Sequence, residues 1–377
     1  MDPLTHSFVG IASAKAGLER LSPWTITACL LAANAPDIDV VAGFGGRWAA
    51  LHYHRGITHS VVGTVALGIA IPSLLFLINK LSARVRRHSA AVRYRGLLIA
   101  SLIAAATHPI LDWTNNYGIR LLLPWNSRWF YGDLVFIVDP YIWLIIGGAA
   151  FLLTSQGRAK LIIWAAIAIL TSLIVFAASA SATQGIGNLW PARIIWTFAI
   201  VALANARWRR IDQRIGAAAA RGAFALLLVY WGALGWQHAN AYRRGEEIAQ
   251  RVAEQQGEQL NRAAAMPVAA NPFSWLFVAE TNSATYRFLI SSTGSSSPQV
   301  SRFEKPSGRA AELVGTAARD PRARILLEFA RFPVEQIEDS DCISQTLVEF
   351  ADLRYTQPQT RARGNFALNV PVDCPDR

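Results

Sequence analysis

The sequence is short of charge. Only 16% of its 377 residues are Asp, Glu, Lys or Arg, while 53% are hydrophobic; an ordinary soluble domain carries roughly 25% charged residues. A chain this apolar is not intrinsically disordered. Cysteine is scarce as well. There are three, none closely paired, which excludes a disulfide scaffold and a thiolate zinc knuckle. The G-x-S-x-G elbow, the P-loop and the Rossmann fingerprint are all absent, and with them the enzyme classes those motifs mark. Acid is sparsest where the chain is most apolar. Residues 1–237 hold 8 Asp/Glu against 20 Lys/Arg, and residues 238–377 hold 17 against 16. The net excess of +11 therefore belongs to the apolar part. Basic loops flanking membrane helices account for it better than a nucleic-acid face does, so no nucleic-acid partner is expected.

What is present are apolar runs of the length that crosses a hydrocarbon core of about 30 Å. They fall at about 57–79, 96–112, 134–154, 161–180, 190–206 and 217–237. Residues 4–18 and 23–37 are shorter and read as a partly embedded helical hairpin. The loops 80–95, 155–160 and 207–221 carry six, two and five Lys/Arg, whereas 113–133 has two and 181–192 none. By the positive-inside rule the basic loops are cytoplasmic. The segments near 37–56, 107–133 and 181–192, and everything after His238, then lie outside, which for a bacterial inner membrane is the periplasm. The expected fold is mainly α: a polytopic membrane domain over 1–240, a polar helical connector over 241–265, and a small soluble, β-rich (α+β) domain over 266–377. Strand-like pieces there are Trp275–Val278, Thr285–Ile290 and Phe366–Val370. Cys29 reads as a buried, inert thiol. Cys342 and Cys374 are permitted to pair if their domain is periplasmic, the alternative being two free thiols.

Ionisable groups in apolar sequence are costly and default to a functional reading. Five of the eight acids in residues 1–237 sit there, and five of the seven histidines keep company with them. The groups are Thr5-His6, Asn34-Ala-Pro-Asp37-Ile-Asp39, the run His52 to Ser60, His108-Pro-Ile-Leu-Asp112, and Asp133 with Asp139-Pro140. His108 and Asp112 are four apart and share one helical face, provided Pro109 stands at a helix start. Asp37 and Asp39 can project carboxylates into a common site. His54 and His59 bracket a glycine turn, and Arg55 within it can pair with a carboxylate or with a phosphate oxygen. Under the charge-derived orientation Asp37, Asp39, His54, His59, His108, Asp112 and Asp133 fall at one membrane face, which scattered structural polar groups would not do. His52 reads as capping or solvated, and Asp139 divides evenly between a helix cap and a functional role. A His/Asp set suits Zn²⁺ first, then Mn²⁺ or Fe²⁺, better than Ca²⁺. Its size exceeds what one tetrahedral ion needs, so two or more ions are expected.

The order MDPLTHSFVG, NAPDID, HRGITHS, HPILDWTNNYG, FYGDLVFIVDP resembles the YdjM-like family of LexA-regulated, inner-membrane-associated, metal-dependent hydrolases. The likeness is close over about residues 1–140 and looser to about 240. It implies a multi-pass protein of the bacterial inner membrane with metal-dependent hydrolase activity. His6, Asp37, Asp39, His54, His59, His108, Asp112 and Asp133 carry over as metal or catalytic residues. The expected division is metal on His6, Asp37, Asp39, His54, His59, His108 and Asp112, with catalysis by Asp39, Arg55 and Asp133. The expected partners are the lipid bilayer and a phosphoester of a lipid or lipid-linked substrate. The alternative is a non-enzymatic metal-binding membrane protein or transporter. A transporter usually holds its ions near the midplane of repeated halves, and no repeat is evident here.

Overall fold

The computed structural model describes residues 1–86, 91–181, 190–292, 298–339, 344–358 and 366–374. Cys342 lies outside them, so its pairing with Cys374 does too, as do most of the loop 181–192 and part of the basic loop 80–95. The chain forms two compact units. The first comprises Met1–Asp39, Arg55–Trp236 and Pro267–Pro272; the second comprises Val40–His54, Gln237–Met266 and Phe273–Arg377.

The first unit opens with α1 (Pro3–Lys15) and α2 (Thr25–Asn34). They pack closely because Gly10 has no side chain: a Cβ there would stand 2.7 Å from the Cys29 carbonyl oxygen. Cys29 is fully buried beside it, as expected. Pro36 has no N–H to continue the α-helical ladder, and the chain tightens into a 3₁₀ segment, Ala35–Gly45. A short helix, α3 (Arg47–Tyr53), and a 3₁₀ turn, Ile57–His59, lead into α4 (Val61–Arg86). Next come α5 (Tyr94–Trp113), α6 (Pro140–Ile142), a π-helical turn (Trp143–Gly147) and α7 (Gly148–Thr154). The helices α8 (Arg158–Ser181), α9 (Trp190–Trp208) and α10 (Ile211–Ile215) follow, and α11 (Ala217–Gln255) runs on into the second unit.

Among the described residues, five segments are long and apolar enough to cross a membrane: Thr25–Gly45, Val61–Arg84, Tyr94–Trp113, Arg158–Ala177 and Ala217–Gln255. Four of them coincide with expected spans. The run read as 134–154 is helical only over Pro140–Thr154, because Asp139 stops the extended chain and caps the helix. Its Oδ1 accepts from the N–H groups of Tyr141 (2.8 Å) and Ile142 (3.0 Å), and its Oδ2 accepts from the Tyr230 hydroxyl (2.9 Å). Asp139 is thus a cap. The expected span 190–206 forms a helix of 19 residues with Arg193 and Arg207 near its ends.

The second unit holds two antiparallel sheets. One has the order β1 (Leu260–Val268), β2 (Asn271–Thr281), β3 (Ala284–Ser291), β4 (Ser301–Glu304); the other is β5 (Pro333–Ile337), β6 (Gln345–Asp352), β7 (Ala367–Asp373). Helices α12 (Arg309–Ala317) and α13 (Pro321–Phe329) lie between them in sequence. The three strand-like pieces fall within or across β2, β3 and β7. The polar helix ends sooner than expected, at Gln255, and Gly257 (φ +67°) turns the chain. Residues 260–265, read as the end of the polar helical connector, form the first strand instead, since pairing in the sheet overrides a weak intrinsic preference. The sheet core is Trp275, Phe277, Tyr286, Phe288 and Ile290, closed by Ala241 and Ala249 of α11. A Cβ on Gly245 of α11 would come within 2.1 Å of the Phe277 ring, so only glycine allows that approach. The 40–54 stretch belongs to this unit, where the Arg47 guanidinium donates to the Ala367 carbonyl (2.7 Å).

Candidate metal centre

Three chain segments of the first unit bring acids and histidines together. The first is the 3₁₀ segment after α2, where the proline-driven change of helix type places Asp37 and Asp39. The second is the His54–Ser60 stretch. Arg55 takes a left-handed backbone (φ +55°), which for a residue with a Cβ costs of order 1–3 kcal/mol. The chain then turns through Ile57–His59, and Ser60 caps α4 by accepting from the Gly63 N–H (3.1 Å) while donating to the Ile57 carbonyl (2.7 Å). The third is the last part of α5. Pro109 lies inside that helix rather than at its start. The helix continues through it, so His108 and Asp112 still share one face.

The result is a group of four donors, three buried and Asp37 half-buried: Asp37 Oδ1, His59 Nε2, His108 Nε2 and Asp112 Oδ2, all within 4.8 Å of one another. The separations are 3.3 Å for His59–Asp37, 3.5 Å for His108–Asp37, 3.4 Å for His59–Asp112, 3.5 Å for His108–Asp112 and 3.1 Å for His59–His108. Ligand bonds of 2.0–2.2 Å set the edges of a tetrahedron at about 3.3–3.6 Å. Five of the six edges are close to that length. The donor set therefore fits a small divalent cation.

Three of the four donors are oriented from behind. The His108 Nδ1–H donates to the Ala33 carbonyl (2.7 Å), which leaves the lone pair of Nε2 for the group. The Nδ1 of His59 lies 3.2 Å from Asp39 Oδ2 and 3.1 Å from the Thr58 hydroxyl. A carboxylate or carbonyl behind a ligating imidazole is the usual arrangement of a metal site. The other oxygen of Asp112, Oδ1, takes Arg55 Nη2 (3.1 Å) and the Met1 amino group.

The expected residues thus divide. Asp37, His59, His108 and Asp112 form the group, and Asp39 stands behind His59 rather than within it. His6, fully buried on α1, stacks on His108 with ring centroids 3.7 Å apart, and its Nε2 is 3.4 Å from Asp112 Oδ1. Among the described residues, neither ring nitrogen of His6 has a hydrogen-bond partner. His54 follows α3, is half-buried and belongs to the second unit. Asp133 is buried with φ +52° on the segment that packs against the end of α5; Leu134 and Val135 there both donate to the Thr114 carbonyl. It stands outside the group of four. Residues without a prior role also take part: Thr58, whose hydroxyl lies 3.3 Å from Asp39 Oδ2, Tyr117, whose ring lies 4.6 Å under the Arg55 guanidinium, and the carbonyls of Ala33 and Gly118. Thr58 and Tyr117 sit inside the quoted motifs, but backbone carbonyls leave no trace in residue types.

A helical membrane protein with a buried His/Asp donor set is therefore the class in hand. Residues 1–183 match the model of a family described as YdjM inner membrane protein. The chain is also 27% identical over 154 residues to the uncharacterized protein YfhP of Bacillus subtilis (strain 168). That alignment covers 38% of this chain and 43% of the relative. No solved structure matches.

Proposed function

We propose that the chain is a membrane-embedded, metal-dependent hydrolase acting at the periplasmic face on a phosphoester of a lipid or lipid-linked substrate. The observation that carries the metal is the near-tetrahedral spacing of Asp37, His59, His108 and Asp112. With two imidazoles and two carboxylates, Zn²⁺ suits it first. A bound ion would supply a Lewis acid for a phosphoryl oxygen. Asp37 and Asp112 would hold it by charge, the two histidines by their Nε2 lone pairs, and Asp39 would keep the His59 ring in register. The apolar neighbours favour a substrate with an acyl tail: Ile38, between the two aspartates, is 56% exposed, and Ile57, Ile110 and Trp113 beside the other donors are exposed as well.

The charge pattern of the loops supports the periplasmic placement. A reporter inserted in the 80–95 loop is expected to behave as cytoplasmic, and one fused after Gln256 as periplasmic; a cytoplasmic signal from the second fusion overturns the orientation. For the activity, the purified protein is assayed for metal content and then against generic phosphomonoesters, phosphodiesters and phosphatidyl lipids, with and without chelator. Chelator-sensitive release of phosphate or headgroup is the expected result. A second reading rests on the same geometry. Four protein donors already close a tetrahedron, which is the pattern of a structural site, and turnover would need a fifth position. Stoichiometric metal with no hydrolysis of any substrate would favour that reading.

A further inference from the structure

We propose that Arg55 is the resident cation of a one-ion centre, a positioning residue that holds the donor set from two sides and occupies the place on Asp112 where a second metal ion would sit. This rests on reading the four donors as a metal centre. The left-handed backbone at Arg55 points its own N–H at Asp39 Oδ2 (2.8 Å), the oxygen that also lies 3.2 Å from His59 Nδ1. Its guanidinium meanwhile reaches Asp112, with Nη2 at 3.1 Å from Oδ1, while Oδ2 of the same carboxylate faces the two histidines. One residue thus orients one ligand directly and another through Asp39.

The guanidinium is not free to receive an incoming phosphate. Its Nη1 donates to Asn115 Oδ1 (2.9 Å) and to the Gly118 carbonyl (3.1 Å), its carbon lies 4.6 Å from the Tyr117 ring centre, and the side chain is 3% exposed. Of the two partners the sequence allows it, carboxylate or phosphate, these contacts select the carboxylate. Charge leads to the same conclusion. The groups in contact are three carboxylates (Asp37, Asp39, Asp112), the Arg55 guanidinium and the Met1 amino group, the last two both on Asp112 Oδ1, with the histidines neutral as ligands require. At most two negative charges remain, and one divalent ion offsets them. A second divalent ion would leave net positive charge at the site without a counter-charge, and burying such charge is costly.

The test is Co²⁺ titration of the full-length, detergent-solubilised protein, followed by the visible absorption of tetrahedral cobalt. Wild type is expected to bind one ion per chain with that spectrum. Arg55→Lys keeps the charge but loses the fork, and is expected to bind about 10-fold more weakly; Arg55→Met, without charge, about 100-fold, the range that outer-shell partners of metal ligands command. Asn115→Ala, which removes the oxygen that accepts from both Arg55 Nη1 and the Tyr117 N–H but leaves the fork on Asp112, should weaken binding by less than either and broaden the spectrum. Two cobalt ions per wild-type chain overturn the inference whether or not any variant folds. So does wild-type affinity in Arg55→Met. Wild type that binds no cobalt overturns the metal-centre reading together with it, whereas one ion per chain with an indifferent Arg55 overturns this inference alone.

Discussion

Asp112→Asn and His108→Ala are each expected to strip the protein of bound metal. Asn keeps the size of Asp but removes the charge that holds a divalent cation, and Asp112 is the donor whose second oxygen also anchors Arg55. His108 supplies one nitrogen whose three neighbours in the group all lie within 3.5 Å. Loss of an outer-shell partner alone costs about 10- to 100-fold in metal affinity, so loss of a donor should exceed 100-fold. Metal per chain is measured by plasma mass spectrometry on monodisperse, detergent-solubilised samples. His52→Ala, on a half-exposed side chain of α3, is the control and should keep its metal. Full occupancy in both Asp112→Asn and His108→Ala would mean that the cluster is polar glue between helices.

Gly63→Ala should cost both stability and metal although it touches no donor. A Cβ at this position would lie 1.9 Å from the Ile57 carbonyl oxygen and 2.9 Å from the Thr58 Cα. Both are backbone atoms of the turn that presents His59, so no side-chain rotation relieves the clash and the turn must shift. Overpacking of this kind typically costs about 1–3 kcal/mol. A displacement of His59 by even a fraction of an ångström also spoils the donor spacing. The comparison is Gly222→Ala in α11, where a Cβ meets nothing within 4 Å; it should be neutral or stabilising, by up to about 1 kcal/mol, because alanine is the better helix former. Thermal midpoints by scattering and fluorescence, with metal content beside them, decide the matter. An unchanged midpoint and full metal in Gly63→Ala would show that the turn is not the constrained element described.

Residue type and spacing alone determined the membrane class, four of the five membrane-capable helices and the strands around Trp275 and Thr285. Each of these rests on a local property, such as the length of an apolar run or the alternation of a strand, that survives without tertiary context. The donors were legible for a related reason. A carboxylate or imidazole in apolar sequence is expensive enough that its mere presence carries information, and His108 and Asp112 announce their shared face by a four-residue step. Tertiary structure decided the roles. Whether Asp39 ligates or stands behind His59, whether Asp139 caps a helix, whether Arg55 turns to a carboxylate or to a phosphate, and whether residues 260–265 join a helix or a sheet all depend on which distant segment packs alongside. Those choices are made by contacts between segments tens of residues apart, by backbone carbonyls such as that of Ala33, and by a left-handed turn at Arg55. Composition and periodicity do not encode them, because the partner that settles each one is remote in the chain and near only once the helices have packed.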